Sequence, residues 1–286
     1  MRVLLIADLE GIAHVDQATA LCIGGEGNEA AIEAMTRATL EVVTALEREG
    51  VDQIRVSDAH RSGAPHNLDP ARFPSCEVHF TDDMYGGPLL DGVDAVCAVG
   101  MHARAKANGF AGHTVSLHTE WTLGSAHLDE SRLAQLLAAE RGIPMWFTCG
   151  DDVLANDVKG VLPCAVTKQS TSATQTKSLD DATVSAALKR VMAERNTRLP
   201  PVPRAPLTIT FQHRAEADVA VAAGAKRAGS TSVVIAPKKT FFEQYTEALA
   251  VIATTEETLL NHFTTMPGSA AFARQLADLL AAPWED

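Results

Sequence analysis

Three short strand-like runs, each closed by a residue able to ligate a metal, constrain this chain more than anything else in it. Val3-Leu4-Leu5-Ile6-Ala7 leads into Asp8 and Glu10, the stretch 53–60 closes on His60, and the stretch 95–101 leads into His102. Apolar runs of this length, bounded by polar turns, read as buried strands. In a parallel sheet the strand C-termini share one edge, and open α/β sheets bind ligands there. Residues remote in sequence then meet in space, and scattered polar residues become a candidate metal centre.

The rest of the first half supports such a sheet. Residues 28–49 carry apolar positions at helical spacing, and Gly50 follows as a C-cap. A helix is expected over 130–141 and a strand over 144–149. This alternation implies a mostly parallel twisted sheet with flanking helices. Residues 61–91, rich in Gly, Pro and Asp, read as a loop-dominated excursion. Composition changes near Val166, where Thr and Ser dominate 167–178. A helix is expected over 180–194, then the proline-rich spacer 199–206, strands over 207–211 and 232–236, and a helix over 241–253. The expected division is an α/β metal-binding catalytic domain, 1–165, and a smaller C-terminal α+β unit, 166–286.

Charge limits the partners. A formal net charge of −12 repels phosphate backbones, and no cluster of Lys or Arg interleaves with aromatics. No nucleic acid and no membrane is expected as a partner. No apolar run is long enough to cross a bilayer, and Met1 leads directly into a strand-like run without a leader pattern, so a cytoplasmic location is expected. The five cysteines form no CxxC pair; Cys97 and Cys149 lie in apolar runs and read as small buried hydrophobes.

Alternate residues of an extended strand point the same way, so Asp8 and Glu10 can face one pocket, and Gly11 lets the chain turn after them. Taken alone, the pair suits a divalent cation or an ion pair with Arg or Lys. His60 reads as a neutral imidazole ligand with Asp58 as its orienting partner, or as a loop histidine. His102 lies just past a buried strand, and Arg104 can pair with an acid. His113 sits in a glycine-flanked segment. Glu130 opens a helix, where a carboxylate also complements the macrodipole. Together, three acids and two histidines form a mixed oxygen–nitrogen set suited to zinc or a related first-row ion. Five ligands exceed the need of one catalytic zinc. With one shared carboxylate they suit two ions about 3.5–4 Å apart, and Asp8, deepest on its strand, is the expected bridge.

The order Asp8-x-Glu10-Gly11, Asp58-Ala59-His60, His102-Ala103-Arg104-Ala105, Gly112-His113-Thr114, Glu130 resembles the DppA-type D-aminopeptidase family of zinc metallopeptidases. Gly150-Asp151-Asp152 and residues 228–233 extend the likeness over nearly the whole chain. The resemblance implies two zinc ions held by Asp8, Glu10, His60, His102 and Glu130, with His113 as the catalytic histidine. It implies short peptide substrates with an N-terminal D-residue, and a homo-oligomer, a decamer, with inward-facing sites. The chain departs from the family's pattern in a longer loop after His60, in Ser57, in Asp129 before the helix-opening Glu130, and in Ala173. The expected function is a zinc-dependent aminopeptidase. The alternatives are a metal-dependent amidohydrolase or phosphoesterase on a non-peptide substrate, and a metal-binding protein without turnover.

Overall fold

The computed structural model describes residues 1–60, 66–80, 83, 85–168, 186, 189, 199–260, 264, 265 and 268–285. The main sheet has six strands, β1 (Arg2–Ala7), β2 (Gln53–Asp58), β3 (Cys76–His79), β4 (Ala95–Met101), β7 (Met145–Asp151) and β8 (Cys164–Lys168), in the order β3-β2-β1-β4-β7-β8. Every neighbouring pair in it is parallel. Numbered within that sheet, the order is the doubly wound 3-2-1-4-5-6, which reverses direction between β1 and β4. The expected α/β class and parallel sheet are what the chain forms.

Side-chain alternation explains why these runs are strands. Val3, Leu5 and Ala7 face one core together with Ala95, Cys97 and Val99, while Leu4 and Ile6 face the other with Val96 and Ala98. A strand buried on both faces needs apolar residues at every position. Helix α1 (Asn28–Arg48) covers the first face with Met35, Val42 and Leu46, and Gly50, at φ +85, follows its C-terminal end as expected. Full burial of each such Leu, Val or Met contributes roughly 1.5–3 kcal/mol.

Helix α2 (Glu130–Glu140) and a second sheet cover the other face. That sheet is antiparallel and runs β10-β11-β9-β5-β6, from β5 (Thr119–Leu123), β6 (Ala126–Leu128), β9 (Leu207–Phe211), β10 (Lys226–Arg227) and β11 (Ser232–Ile235). The boundary expected between 165 and 166 falls inside β8, and the second sheet takes its β5–β6 hairpin from the N-terminal side of it. The physical reason is the pairing of β5 with β9, Trp121 opposite Ile209, which puts both in one core with α2. Gly124 at φ +62 makes the two-residue Gly124-Ser125 turn of that hairpin.

Short helix α3 (Asp152–Asp157) follows β7, and α4 (Arg214–Ala222), α5 (Phe241–Leu260) and α6 (Ala270–Ala281) complete the described chain. The strand β3 appears inside the stretch read as loop, and α4, α6 and β8 are additional to the expected elements. The helix expected over 180–194 lies, apart from residues 186 and 189, outside the described residues. Among the described residues no helix is long and apolar enough to cross a membrane. All five cysteines are free. Burial raises the Cys97 and Cys149 thiols well above the ordinary range, in keeping with inert core residues.

Candidate metal centre

The direction reversal between β1 and β4 places Asp8, Glu10 and His102 side by side. The ladder continues past β1: the Asp8 amide donates to Val99 O at 2.9 Å and the Gly11 amide to Gly100 O at 2.8 Å. This close approach depends on glycine. A Cβ on Gly11 or on Gly150 would lie 1.8 Å from Met101 O, and one on Gly100 would lie 2.0 Å from Asp8 O. Gly100 also has φ +77, and β4 advances from Ala98 to Met101 while β7 advances only from Thr148 to Gly150. That one-residue bulge re-aims the end of β4, and His102 follows it into the cluster.

Asp8, Glu10, His60, His102, His113 and Glu130 are all buried and converge. Three groups have ligand atoms within 4.8 Å of one another: Asp8, Glu10 and His60; Asp8, His102 and Glu130; and Glu10, His102 and His113. His60 Nδ1 lies 3.1 Å from Glu10 Oε2 and 3.6 Å from Asp8 Oδ1. His102 Nε2 lies 3.6 Å from both Asp8 Oδ2 and Glu130 Oε2. His113 Nε2 is 3.7 Å from Glu130 Oε1, and the His113 ring stacks on His102 with centroids 4.4 Å apart.

Each imidazole is pinned from behind. His60 Nε2 sits 2.7 Å from Leu21 O, His102 Nδ1 2.8 Å from Ala103 O, and His113 Nδ1 2.8 Å from Ala111 O. A carbonyl only accepts, so each of these nitrogens carries the proton, and in the neutral ring the opposite nitrogen has its lone pair on the side of the carboxylates, where a cation between them could take it. Metal-ligating histidines are held in this way. Among the described residues, His102 Nε2 is buried without a hydrogen-bond partner. A buried polar atom in that condition is costly, and a cation between it and the facing carboxylates would satisfy it. The residues therefore fit a divalent ion.

Three further groups set Glu130, the last of the acids. Asp129 caps α2 by accepting from the Arg132 amide at 2.8 Å. Tyr85 Oη donates to Glu130 Oε2 at 2.5 Å, and the Val115 amide donates to Glu130 Oε1 at 2.7 Å. Val115 holds φ +70, and Lys106, Asn108 and Ala111 are also left-handed. Such a conformation is an outlier for a β-branched residue, and here it accompanies an amide aimed at Glu130. Tyr85 and Val115 carried no sequence signal: Tyr85 stands in an irregular loop, and an amide direction is not legible in residue types. Asp151, fully buried, accepts from the Ala103 amide at 2.8 Å and caps α3 through the Leu154 amide at 2.7 Å.

One local expectation changes and one holds. Asp58 does not orient the His60 ring. Its carboxylate accepts from the Asn67 and Leu68 amides at 2.6 and 2.9 Å and from Asn67 Nδ2 at 3.0 Å, tying those two residues to the end of β2. The ring's partners are Leu21 O on Nε2 and Glu10 on Nδ1, while the Asp58 oxygens are taken up by Asn67 and Leu68. Arg104 pairs with acids, 3.1 Å from Asp157 and 3.6 Å from Glu120, so its charge is already matched.

The electrostatics are those of acids and imidazoles packed together out of contact with solvent. Burial and the Glu10 charge raise Asp8 well above the carboxylate range. Against burial, the His60 imidazole holds Glu10 well below that range, and the His102 imidazole holds Glu130 down to about 2. Against burial, Glu10 raises His60 and Glu130 raises His102. Burial and the neighbouring His102 lower His113, which favours its neutral ring.

Among known proteins, a family model described as D-aminopeptidase matches residues 1–250. A solved structure, the Zn-dependent D-aminopeptidase DppA from Bacillus subtilis, described as a self-compartmentalizing protease, matches with a TM-score of 0.77 at 21% identity. The match covers 90% of this chain and 98% of that one. At that identity the likeness establishes a shared fold. No curated protein matches the chain.

Proposed function

The chain belongs to the D-aminopeptidase family, and from that premise we propose that it is a zinc-dependent aminopeptidase that releases N-terminal, D-configured residues from short peptides. The observation that carries the two-ion reading is the position of Asp8. Its Oδ1 is 3.6 Å from His60 Nδ1, and its Oδ2 is 3.6 Å from His102 Nε2, so one carboxylate faces two ligand sets. Asp8, Glu10 and His60 would hold one ion. Asp8, His102 and Glu130 would hold the other. Bound zinc supplies Lewis acidity toward the scissile carbonyl and a water acidic enough to attack it near neutral pH.

The chain's own groups handle the proton. His113 keeps its proton on Nδ1, held to Ala111 O, and turns its Nε2 lone pair to the cluster. In this reading Nε2 takes a proton as the water adds to the carbonyl carbon. It returns that proton to the amine as the C–N bond breaks. General acid–base catalysis of this kind contributes about a hundredfold to ten-thousandfold. An imidazole nucleophile would need the same lone pair, so either route requires this tautomer. The buried setting excludes bulk water and strengthens each electrostatic contact.

The decisive experiment pairs activity with metal content. His113→Ala should lower turnover of a D-aminoacyl nitroanilide by about a hundredfold or more, while zinc per chain stays at the wild-type value. Parallel loss of zinc would make His113 a ligand and break the assignment. L-aminoacyl and phosphate monoester substrates in the same assay test stereochemistry and reaction class. We also propose a homo-oligomer, a decamer, in keeping with the self-compartmentalizing neighbour of the same fold; sedimentation at the mass of a single chain would refute it.

A further inference from the structure

The family model ends at residue 250, so α6 lies wholly beyond the matched stretch. We propose that α6 is a positioning element of the active centre, a clasp joining the segment that orients His60 to the segment that carries His113. This inference rests on the two-ion reading above and adds an element to it.

The His60 side comes first. The ring is pinned by Leu21 O, and Leu21 ends the 3-10 turn Ala18–Leu21. From one side Asn28 Nδ2 holds this turn by donating to Ala20 O at 2.8 Å. From the other side α6 packs on it. Phe272, Ala273 and Leu276 bury Cys22, the residue after Leu21. Gly24 meets the start of α6 so closely that a Cβ there would lie 2.1 Å from Gly268 O.

The same helix reaches the His113 side. Leu117, four residues past His113, packs into the cluster formed by Phe272 and Leu276. Gln212, buried at the end of β9, donates through Nε2 to Ala282 O at 2.7 Å and to Leu279 O at 3.3 Å. These satisfy carbonyls that the helix end leaves open. The Gln212 amide in turn donates to His118 O at 2.9 Å. Beyond the helix, the Trp284 ring lies under Lys106 Nζ at 4.4 Å, at the start of the strained stretch that leads to His113. One amphipathic helix thus braces both flanks of the cluster without supplying a ligand. Groups that orient a ligand from behind typically change metal affinity or activity by about 10–100-fold when removed.

The test titrates zinc from the full-length protein with a competing chelator and reads zinc per chain by mass spectrometry. Steady-state kcat and KM are measured in parallel. The variants are Phe272→Ala and Leu276→Ala, with Val233→Ala, in the core of the second sheet, as a control for general loss of packing. The expected result is that one zinc leaves Phe272→Ala at about a tenfold lower chelator concentration than wild type. Its kcat falls more than its KM changes, Phe272→Leu restores most of the difference, and Val233→Ala binds zinc like wild type. If Phe272→Ala does not fold, Leu276→Ala carries the same comparison. Variants that match Val233→Ala in zinc affinity and kcat overturn the clasp and leave the two-ion reading intact. A wild-type chain that takes up no zinc overturns both.

Discussion

At the scale of single residues, the centre is defined by which nitrogen of each imidazole is tied down. Leu21 O, Ala103 O and Ala111 O fix one nitrogen of His60, His102 and His113, so the other faces Asp8, Glu10 and Glu130. In the metal-free chain, burial opposes the charged imidazoles, but Glu10 and Glu130 raise His60 and His102 well above the ordinary range, which favours their protonated, cationic form. Ligation requires the neutral ring. Zinc uptake should therefore release protons, and affinity should fall as the pH is lowered. The stability these two imidazoles contribute to the metal-free chain has the matching sign. It is fully present below about pH 6.5, the ordinary value, and lost as the pH rises through their raised values. Acidification of an unbuffered solution on adding zinc, followed by a pH electrode, checks this; uptake with no proton release would contradict it.

At the scale of elements, the strands bring the ligands together because glycine lets their ends touch. Gly100 has φ +77 and stands where a Cβ would strike Asp8 O. Gly100→Ala should destabilise the fold by more than about 2 kcal/mol and weaken zinc binding, seen as a lower urea midpoint and fewer ions retained; an unchanged midpoint would mean that β1 and β4 do not approach so closely. Much of this level was legible. The apolar runs 3–7 and 95–101 announced buried strands, because a strand of a parallel sheet covered on both faces needs apolar residues at successive positions, and the acids and histidines at the strand ends announced a shared edge. The hairpin β5–β6 was not legible, since its strand-forming residues interrupt the βαβ rhythm and find their partner, β9, far along the chain. The partner of His60 was also hidden. A backbone carbonyl at Leu21 has no residue-type signature, and Asp58, the side chain that sequence suggested, holds Asn67 and Leu68 instead.

At the scale of the molecule, a doubly wound sheet places its reversal at the cluster, and a second sheet and α6 close around it. The family assignment rests on residues 1–250 and the fold on the likeness to the Bacillus subtilis enzyme, while the clasp by α6 belongs to the remainder of the chain. The central claim is that Asp8 joins two ligand sets into one two-ion centre. Anomalous scattering at the zinc edge, from crystals of the zinc-loaded protein, tests it most directly. The account predicts two peaks per chain about 3.5–4 Å apart, one beside Glu10 and His60, the other beside His102 and Glu130, with Asp8 touching both and His113 touching neither. A single peak, or peaks away from Asp8, would contradict it.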